Sequence, residues 1–342
     1  MKAVVCRRYG RPEVLEIAEV EKPSVLDDSV LVRVHASSVN PVDFFSLSSA
    51  KYVARILAGR MKPTPEVVGT DFAGTVESVG RSVAGFQPGD EVFGGKRGAF
   101  ADYICVSEQA GVVRKPTNLT FEQAAAVPVA AITALQALRD HGRIQPGQRV
   151  LINGASGGVG TFAVQLAKVF GGEVTGVCSP RNVDLARSLG ADSVIDYTQE
   201  DFTRSAQRYD LMLDIAGNKS WSECRRVLAP KATFVCVGGS AHTVFGGGRT
   251  LKHFAGVRLA SIGSSRKAVL FLARLNKADL LVLQELLETG RIMPVIDRRY
   301  ALDEAVTAFR YMGDGHAKGK IVINLCAAGR ETSSQSTEEI QR

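Results

Sequence analysis

The sequence predicts an α/β fold in which a doubly wound parallel sheet is inserted into a small, strand-rich, partly open barrel. Three observations predict it. A strand, a glycine-dense turn and a helix follow one another over residues 150–161. Short apolar runs then alternate with helical patterns to about residue 263. Strand-and-turn patterning fills residues 1–122 and resumes from about 264. A chain of 342 residues suits two domains, or one large domain carrying an insertion.

The glycine-dense unit organises the rest. Val150-Leu151-Ile152-Asn153 runs into Gly154-Ala155-Ser156-Gly157-Gly158-Val159-Gly160. A helix follows, with Phe162, Ala163, Leu166, Ala167 and Phe170 on one side and Gly171-Gly172 at its end. Such a turn aims backbone N–H groups at an anion, and the helix start adds the positive end of its dipole. Gly154, Gly157 and Gly160 keep the G-x-x-G-x-x-G rhythm. Gly154 permits the tight turn, Gly157 the close approach of a pyrophosphate, and Gly160 the packing of helix on sheet. With a strand before and a helix after, the motif predicts a dinucleotide site, completed by Ser156, Gly158 and Val159.

In the first domain Val30, Val32 and Val34 alternate with Leu31, Arg33 and His35. Further strands are expected at 71–79, 91–93 and 100–106, between the turns Gly80-Arg81, Pro88-Gly89 and Gly94-Gly95, with one helix at 46–57. Over 123–263, a helical pattern at 122–138 is followed by the turn Gln145-Pro146-Gly147. Parallel strands are then expected at 150–153, 174–178, 193–195, 210–215, 233–237 and 257–262, with helices such as 182–189 and 220–228 between most of them. From 264 to 329 the chain returns to the first domain, through a helix at 278–288, an extended stretch at 291–300, a helix at 303–312 and a strand at 320–325. Residues 330–342 are polar and aperiodic, and disorder is expected there.

Composition narrows the function. Hydrophobic content of 45% and charged content of 23% are ordinary for a globular protein. The net charge of +7 comes from basic residues scattered along the chain apart from a few doublets, which argues against nucleic-acid binding. Six widely spaced cysteines without a C-x-x-C pair imply a reducing, cytoplasmic setting and no disulfide framework. The N-terminus opens directly into a strand pattern, unlike a signal peptide. The longest apolar stretch, 124–135, is too short to span a membrane and contains Pro128.

The tip of the second parallel strand selects the nucleotide. It reads Cys178-Ser179-Pro180-Arg181-Asn182, without the carboxylate that holds a ribose 2′-hydroxyl in NAD-binding proteins. Ser179 can donate to a 2′-phosphate and Arg181 can pair with one. Tyr197, beyond the third strand, can stack on adenine or reach the same phosphate. The combination favours NADP(H). Gly217, after the fourth strand, and Val237-Gly238-Gly239, after the fifth, stand at strand carboxyl ends, where ligands gather.

With these motifs the chain resembles the zinc-free quinone oxidoreductase branch of the medium-chain dehydrogenase/reductase superfamily. The resemblance runs over residues 2–325. Its motifs are Asn40-Pro41-Val42-Asp43, Gly69-Thr70-Asp71-Phe72-Ala73-Gly74-Thr75-Val76, Gly89-Asp90-Glu91-Val92-Phe93-Gly94, Gly98-Ala99-Phe100-Ala101-Asp102-Tyr103, Leu189-Gly190-Ala191-Asp192 and Gly315-His316-Ala317-Lys318-Gly319-Lys320. The resemblance implies a GroES-like barrel and a Rossmann domain, with the cofactor in the cleft between them. It also implies Asn40 beside the nicotinamide, and Tyr52 as a proton donor or as a packing residue of its helix. Thr133 would sit against the nicotinamide ribose, and His316 and Lys318 would close the cleft. A homodimer through the Rossmann sheet edge is a common family arrangement.

The zinc branch of the superfamily carries a Cys where this chain has the Asn40–Asp43 segment, His-Glu where it has Thr70-Asp71, and a second Cys near Pro128. Those soft ligands are missing, which implies no zinc. Hydride transfer to a simple ketone leaves charge on an alkoxide that a metal would stabilise. A quinone or an α,β-unsaturated carbonyl spreads that charge into a phenolate or enolate, which hydrogen-bond donors can hold. The expected reaction is therefore NADPH-dependent reduction of a small quinone or enone. Two other readings stay open: a zinc-independent alcohol dehydrogenase, and an NADPH-binding sensor or partner module with little catalysis.

Overall fold

In the computed structural model, residues 1–47, 66–237, 265–315 and 317–325 are described. Short apolar runs buried on both faces pair in parallel, and six of them form one sheet. In spatial order they are Ser193–Asp196, Glu173–Cys178, Arg149–Asn153, Tyr209–Asp214, Leu228–Cys236 and Lys267–Leu270. Every neighbouring pair is parallel. The strand order reverses between Arg149–Asn153 and Tyr209–Asp214, which opens a crevice at their carboxyl ends. Three of the central strands are almost wholly buried, the fifth is buried in its second half, and the two edge strands are half-buried.

The glycine-rich turn leads into the helix Gly158–Val169, which is buried continuously from Gly160 to Ala167. Phe162 and Leu166 pack with Val150, Ile152 and Leu135 in the largest core cluster. The helix is wedged between the sheet and a second helix, so it lacks the polar face of a surface helix. That second helix corrects an expectation. The pattern at 122–138 is not one helix but Phe121–Ala125, then Pro128–Gln136, then a π-turn at Ala137–Gly142. Pro128 has no N–H to continue the first segment, so it starts a new helix as its first residue.

Among the described residues the sixth strand of this sheet is Lys267–Leu270, while the strand expected at 257–262 lies outside the described residues. A four-residue strand at a half-exposed edge needs only a short apolar run, and Ala268-Val269-Leu270 supplies it.

The other domain is built on the eleven-residue strand Ser29–Val39, which pairs with Asp71–Val79, Tyr103–Ser107 and Lys320–Asn324. The full sheet has seven strands and also holds Ile296–Ala301, Glu91–Gly95 and Val112–Arg114. A three-stranded sheet of Leu15–Glu19, Lys2–Cys6 and Glu66–Val67 lies beside it. The expected strand 100–106 begins only at Tyr103, because Phe100 bonds instead to Val68 and Val4. The C-terminal strands thus join the first domain's sheet. Before them come the helix Lys277–Glu288 and, between the two strands, the helix Ala305–Gly313. Most of the helix expected at 46–57, including Tyr52, lies outside the described residues, as do Gly238, Gly239, His316 and 330–342. No helix among the described residues is long and apolar enough to cross a membrane.

The loop glycines differ in what the fold demands of them. A Cβ at Gly160 would lie 2.0 Å from the Gly154 carbonyl oxygen, whereas one at Gly157 would meet nothing closer than 3.8 Å. Gly160→Ala is therefore expected to destabilise the protein by about 3 kcal/mol or more through backbone displacement, and Gly157→Ala by less than about 1 kcal/mol. Urea unfolding of both variants checks this, and equal losses would contradict it.

Candidate active site

The crevice at the strand reversal is lined by the glycine turn. Gly154 has φ +95°, and its N–H and that of Ala155 bond to the Val177 carbonyl at 3.1 and 3.0 Å. Asn153 Nδ2 donates to Asp214 Oδ1 (2.8 Å) and to Asn218 Oδ1 (2.9 Å), and the Gly217 N–H donates to Asp214 Oδ1 (3.0 Å). These bonds join the carboxyl ends of the first and fourth strands. Gly157 caps the helix Gly158–Val169, and no side chain accepts from the helix's first N–H groups. Those donors, with the open space where a Cβ of Gly157 would stand, fit the pyrophosphate of a dinucleotide. Ser156 is buried, and Gly158 and Val159 are half-buried beside it.

A second element reaches this loop from the other domain. Gly319 forms a parallel bridge with Gly157, and a Cβ at Gly158 would lie 3.1 Å from Lys320 Cδ. Lys320, the first residue of the strand Lys320–Asn324, is only 3% exposed. Its ammonium donates to Asn40 Oδ1 (2.5 Å) and faces Asp71 Oδ2 at 3.4 Å. Asp71 is fully buried and accepts on both oxygens. Oδ2 takes Ser38 Oγ (2.7 Å) and Asn40 Nδ2 (2.8 Å), and Oδ1 takes the Val129 N–H (2.9 Å). That last bond caps the helix Pro128–Gln136 with a carboxylate, since Pro128 has no N–H and Val127 offers no side-chain acceptor. Asn40 also donates to the Ser38 carbonyl (3.2 Å), so both of its amide hydrogens are engaged inside the network.

Asp43 and Thr70 complete the cluster. Thr70 Oγ1 donates to Asp43 Oδ1 (2.6 Å), and the Asn40 N–H donates to Asp43 Oδ2 (2.7 Å). Asn40 and Thr70 replace the soft ligands of the zinc branch with an amide and a hydroxyl, and Pro128 offers no donor. The carboxylates of Asp43 and Asp71 are occupied by the network. This donor set does not fit a zinc ion. Among the described residues no group of three His, Cys, Asp or Glu side chains could hold a metal.

The other expected residues are distributed around this centre. Thr133 is half-buried on the helix Pro128–Gln136, and its hydroxyl donates to Val129 O (2.6 Å). Val237 bonds to Asp214 O at the end of the fifth strand. Lys318 is half-buried, and its N–H donates to Asp297 Oδ2 (2.9 Å). Ser179 is half-buried, while Arg181 and Tyr197 are exposed. Asp196 stands beside Cys178, but its Oδ1 accepts from the N–H and hydroxyl of Thr198 at 2.9 and 2.8 Å. A separate cleft of about 990 Å³ lies at the other end of the helix Pro128–Gln136. Its Gln136, Arg139 and Asp279 are already bonded to one another, which leaves no convergent chemistry there.

Lys320, Ser38 and the inward roles of Asp43 and Asp71 were not singled out by the sequence reading. Their only local signal is polarity at an otherwise buried position. Asp71 and Lys320 each begin a strand whose following residues are buried.

Two carboxyls and one ammonium share this dry site. Burial, reinforced by the negative charge of Asp71 and opposed by the Thr70 hydrogen bond, pushes the Asp43 carboxyl up to about 7. Burial also lowers the Lys320 ammonium, against the attraction of Asp71 and Asp43. Because Asp43 holds its proton more tightly folded than unfolded, its contribution to stability is complete below about pH 4 and is lost as the pH rises through 7. Asp43→Asn should remove that slope. Unfolding free energies measured between pH 4.5 and 7.5 should fall in the wild type relative to the variant by on the order of a few kcal/mol. Parallel curves would contradict the assignment.

Residues 26–117 match an alcohol dehydrogenase GroES-like domain, and residues 189–323 match a zinc-binding dehydrogenase domain. The mouse NAD(P)H oxidoreductase RTN4IP1, mitochondrial, is 35% identical over 95% of this chain and 89% of its own length. The tomato 2-methylene-furan-3-one reductase is 34% identical over 95% of this chain and 79% of its own. The solved quinone oxidoreductase from Coxiella burnetii superposes with a TM-score of 0.82 and 31% identity, covering 95% of this chain and 99% of that one. Two domains meeting at a glycine-rich turn, and relatives aligned along nearly their whole length, place this chain in the quinone oxidoreductase branch of the medium-chain dehydrogenase/reductase superfamily.

Proposed function

We propose that the chain is an NADPH-dependent oxidoreductase that reduces a quinone or an α,β-unsaturated carbonyl without a metal. The observation that carries this reading is the network of Asn40, Asp43, Thr70, Asp71 and Lys320. It fills the positions of the zinc ligands with groups bonded to one another. A substrate reduced here has to carry its developing negative charge on a delocalised oxygen, as a conjugated carbonyl or a quinone can. The named relatives support the class: one reduces 2-methylene-furan-3-one, a conjugated ketone by its name, and another is a quinone oxidoreductase.

NADPH, when bound, supplies the hydride. The Gly157 turn and the helix behind it would hold the pyrophosphate, and Ser179 and Arg181 would hold the 2′-phosphate, with Tyr197 at the adenine. Thr133, Gly217 and Val237 would line the rest of the cofactor site, with Lys318 at the cleft; the expected roles of Gly238, Gly239 and His316 fall outside the described residues. Asn40 acts by positioning, since its amide is held by Lys320 and Asp71. For an enone, hydride on the β-carbon would leave an enolate, and Tyr52 or water would supply its proton. For a quinone, the phenolate product takes its proton from water.

Steady-state NADPH consumption with a panel of quinones, enones and simple ketones tests the reading. Turnover of conjugated acceptors is expected to survive exhaustive chelation, and simple ketones should react far more slowly. Tyr52→Phe should lower the enone rate by ~10²-fold or more, within the usual range for a positioned acid, and affect quinones little. Alcohol-dependent reduction of NADP would favour a zinc-independent alcohol dehydrogenase. Tight NADPH binding without turnover of any acceptor would favour a binding module.

A further inference from the structure

Asn182 follows the tip of the second strand and is 4% exposed. Its Nδ2 donates to Ser156 Oγ at 2.9 Å and to Ser179 Oγ at 3.1 Å, and its backbone N–H holds the Ser179 carbonyl at 2.9 Å. One side chain thus ties the glycine turn to the loop at the adenosine end of the crevice. Its Oδ1 is buried without a hydrogen-bond partner among the described residues. The opposite amide orientation would let the oxygen accept from the two hydroxyls, but it would bury two N–H groups where no acceptor lies among the described residues, which costs more than one unsatisfied carbonyl. The fold therefore leaves a buried carbonyl unsatisfied while using both amide hydrogens on serine oxygens, an arrangement that calls for an explanation.

A serine hydroxyl carries one proton. When its oxygen accepts from Asn182, that proton is turned away from the amide and is available to another acceptor. A phosphate dianion only accepts, whereas a ribose hydroxyl can donate or accept. We propose that Asn182 is a positioning residue for cofactor choice: it holds the Ser156 and Ser179 hydroxyls as acceptors, so that both present their protons to a 2′-phosphate. The inference rests on the NADPH reading above. It adds a residue that touches no cofactor atom and acts through two that do.

The test is fluorescence titration of the full chain with NADPH and with NADH. The wild type is expected to bind NADPH ten- to a hundred-fold more tightly, in proportion to charge-assisted bonds to a phosphate. Asn182→Leu, close in volume but without donors, should reduce that ratio about tenfold while leaving NADH affinity within twofold. In a Ser156→Ala/Ser179→Ala background the same substitution should have no further effect on the ratio, which a purely structural role would not produce. Should Asn182→Leu unfold the turn, Asn182→Ala gives the same comparison, because the backbone bond to Ser179 is kept. Equal loss of NADPH and NADH affinity, or an undiminished effect without the two hydroxyls, would overturn the inference. So would a ratio unchanged by either substitution. Equal affinities in the wild type would instead overturn the NADPH reading, and this inference with it.

Discussion

The arrangement of the cleft depends on one buried charge, the ammonium of Lys320. It faces Asp71 and Asn40 from a strand in the C-terminal part of the chain, and its stem lies over Gly158. Asp71 in turn caps the helix Pro128–Gln136, which packs on the helix behind the dinucleotide turn. One ion pair therefore fixes the relation of three elements: the first domain's central sheet, the junction helix and the cofactor loop. Burying such a pair gains little net stability over an apolar contact, but breaking one partner costs about 3–5 kcal/mol because the other is left uncompensated. Its worth here lies in specifying position.

The same site shows what stands in this chain where the zinc branch has soft ligands. A zinc ion needs Cys or His side chains free to turn inward. Here the amide of Asn40 and the hydroxyl of Thr70 are drawn to Asp71 and Asp43, and burial raises the Asp43 carboxyl to about 7. The polar groups of this cluster are spent on one another, so what the network supplies is position.

Much of this was legible in the sequence, and the parts that were not share a physical reason. The parallel sheet and its glycine turn are local: Val150 to Ile152, Gly154 and Gly160 act on neighbours within a dozen residues, so spacing reveals them. The strand Asp71–Val79 appeared with its observed bounds because alternation and a following glycine marked it. The strand Lys267–Leu270 was not foreseen, because an edge strand needs few apolar residues and Ala268-Val269-Leu270 is a short run. The division of the 122–138 helix was signalled by Pro128 itself. Lys320 was passed over for His316 and Lys318, since a lysine reads as surface unless its partner is known. That partner, Asp71, stands 249 residues away. The hydroxyl tie made by Asn182 was hidden for the same reason: its importance lies in where Ser156 is in space.

The central claim is hydride transfer to a conjugated acceptor in a cleft organised by Lys320 and Asp71 instead of a metal. The most direct measurement is a single turnover of chelator-treated protein with NADPH deuterated at the transferring position of C4 and an α,β-unsaturated ketone, followed by NMR of the product. The account predicts deuterium on the β-carbon, with the carbonyl intact. Deuterium on the carbonyl carbon, in a reaction that returns only when zinc is added, would contradict it.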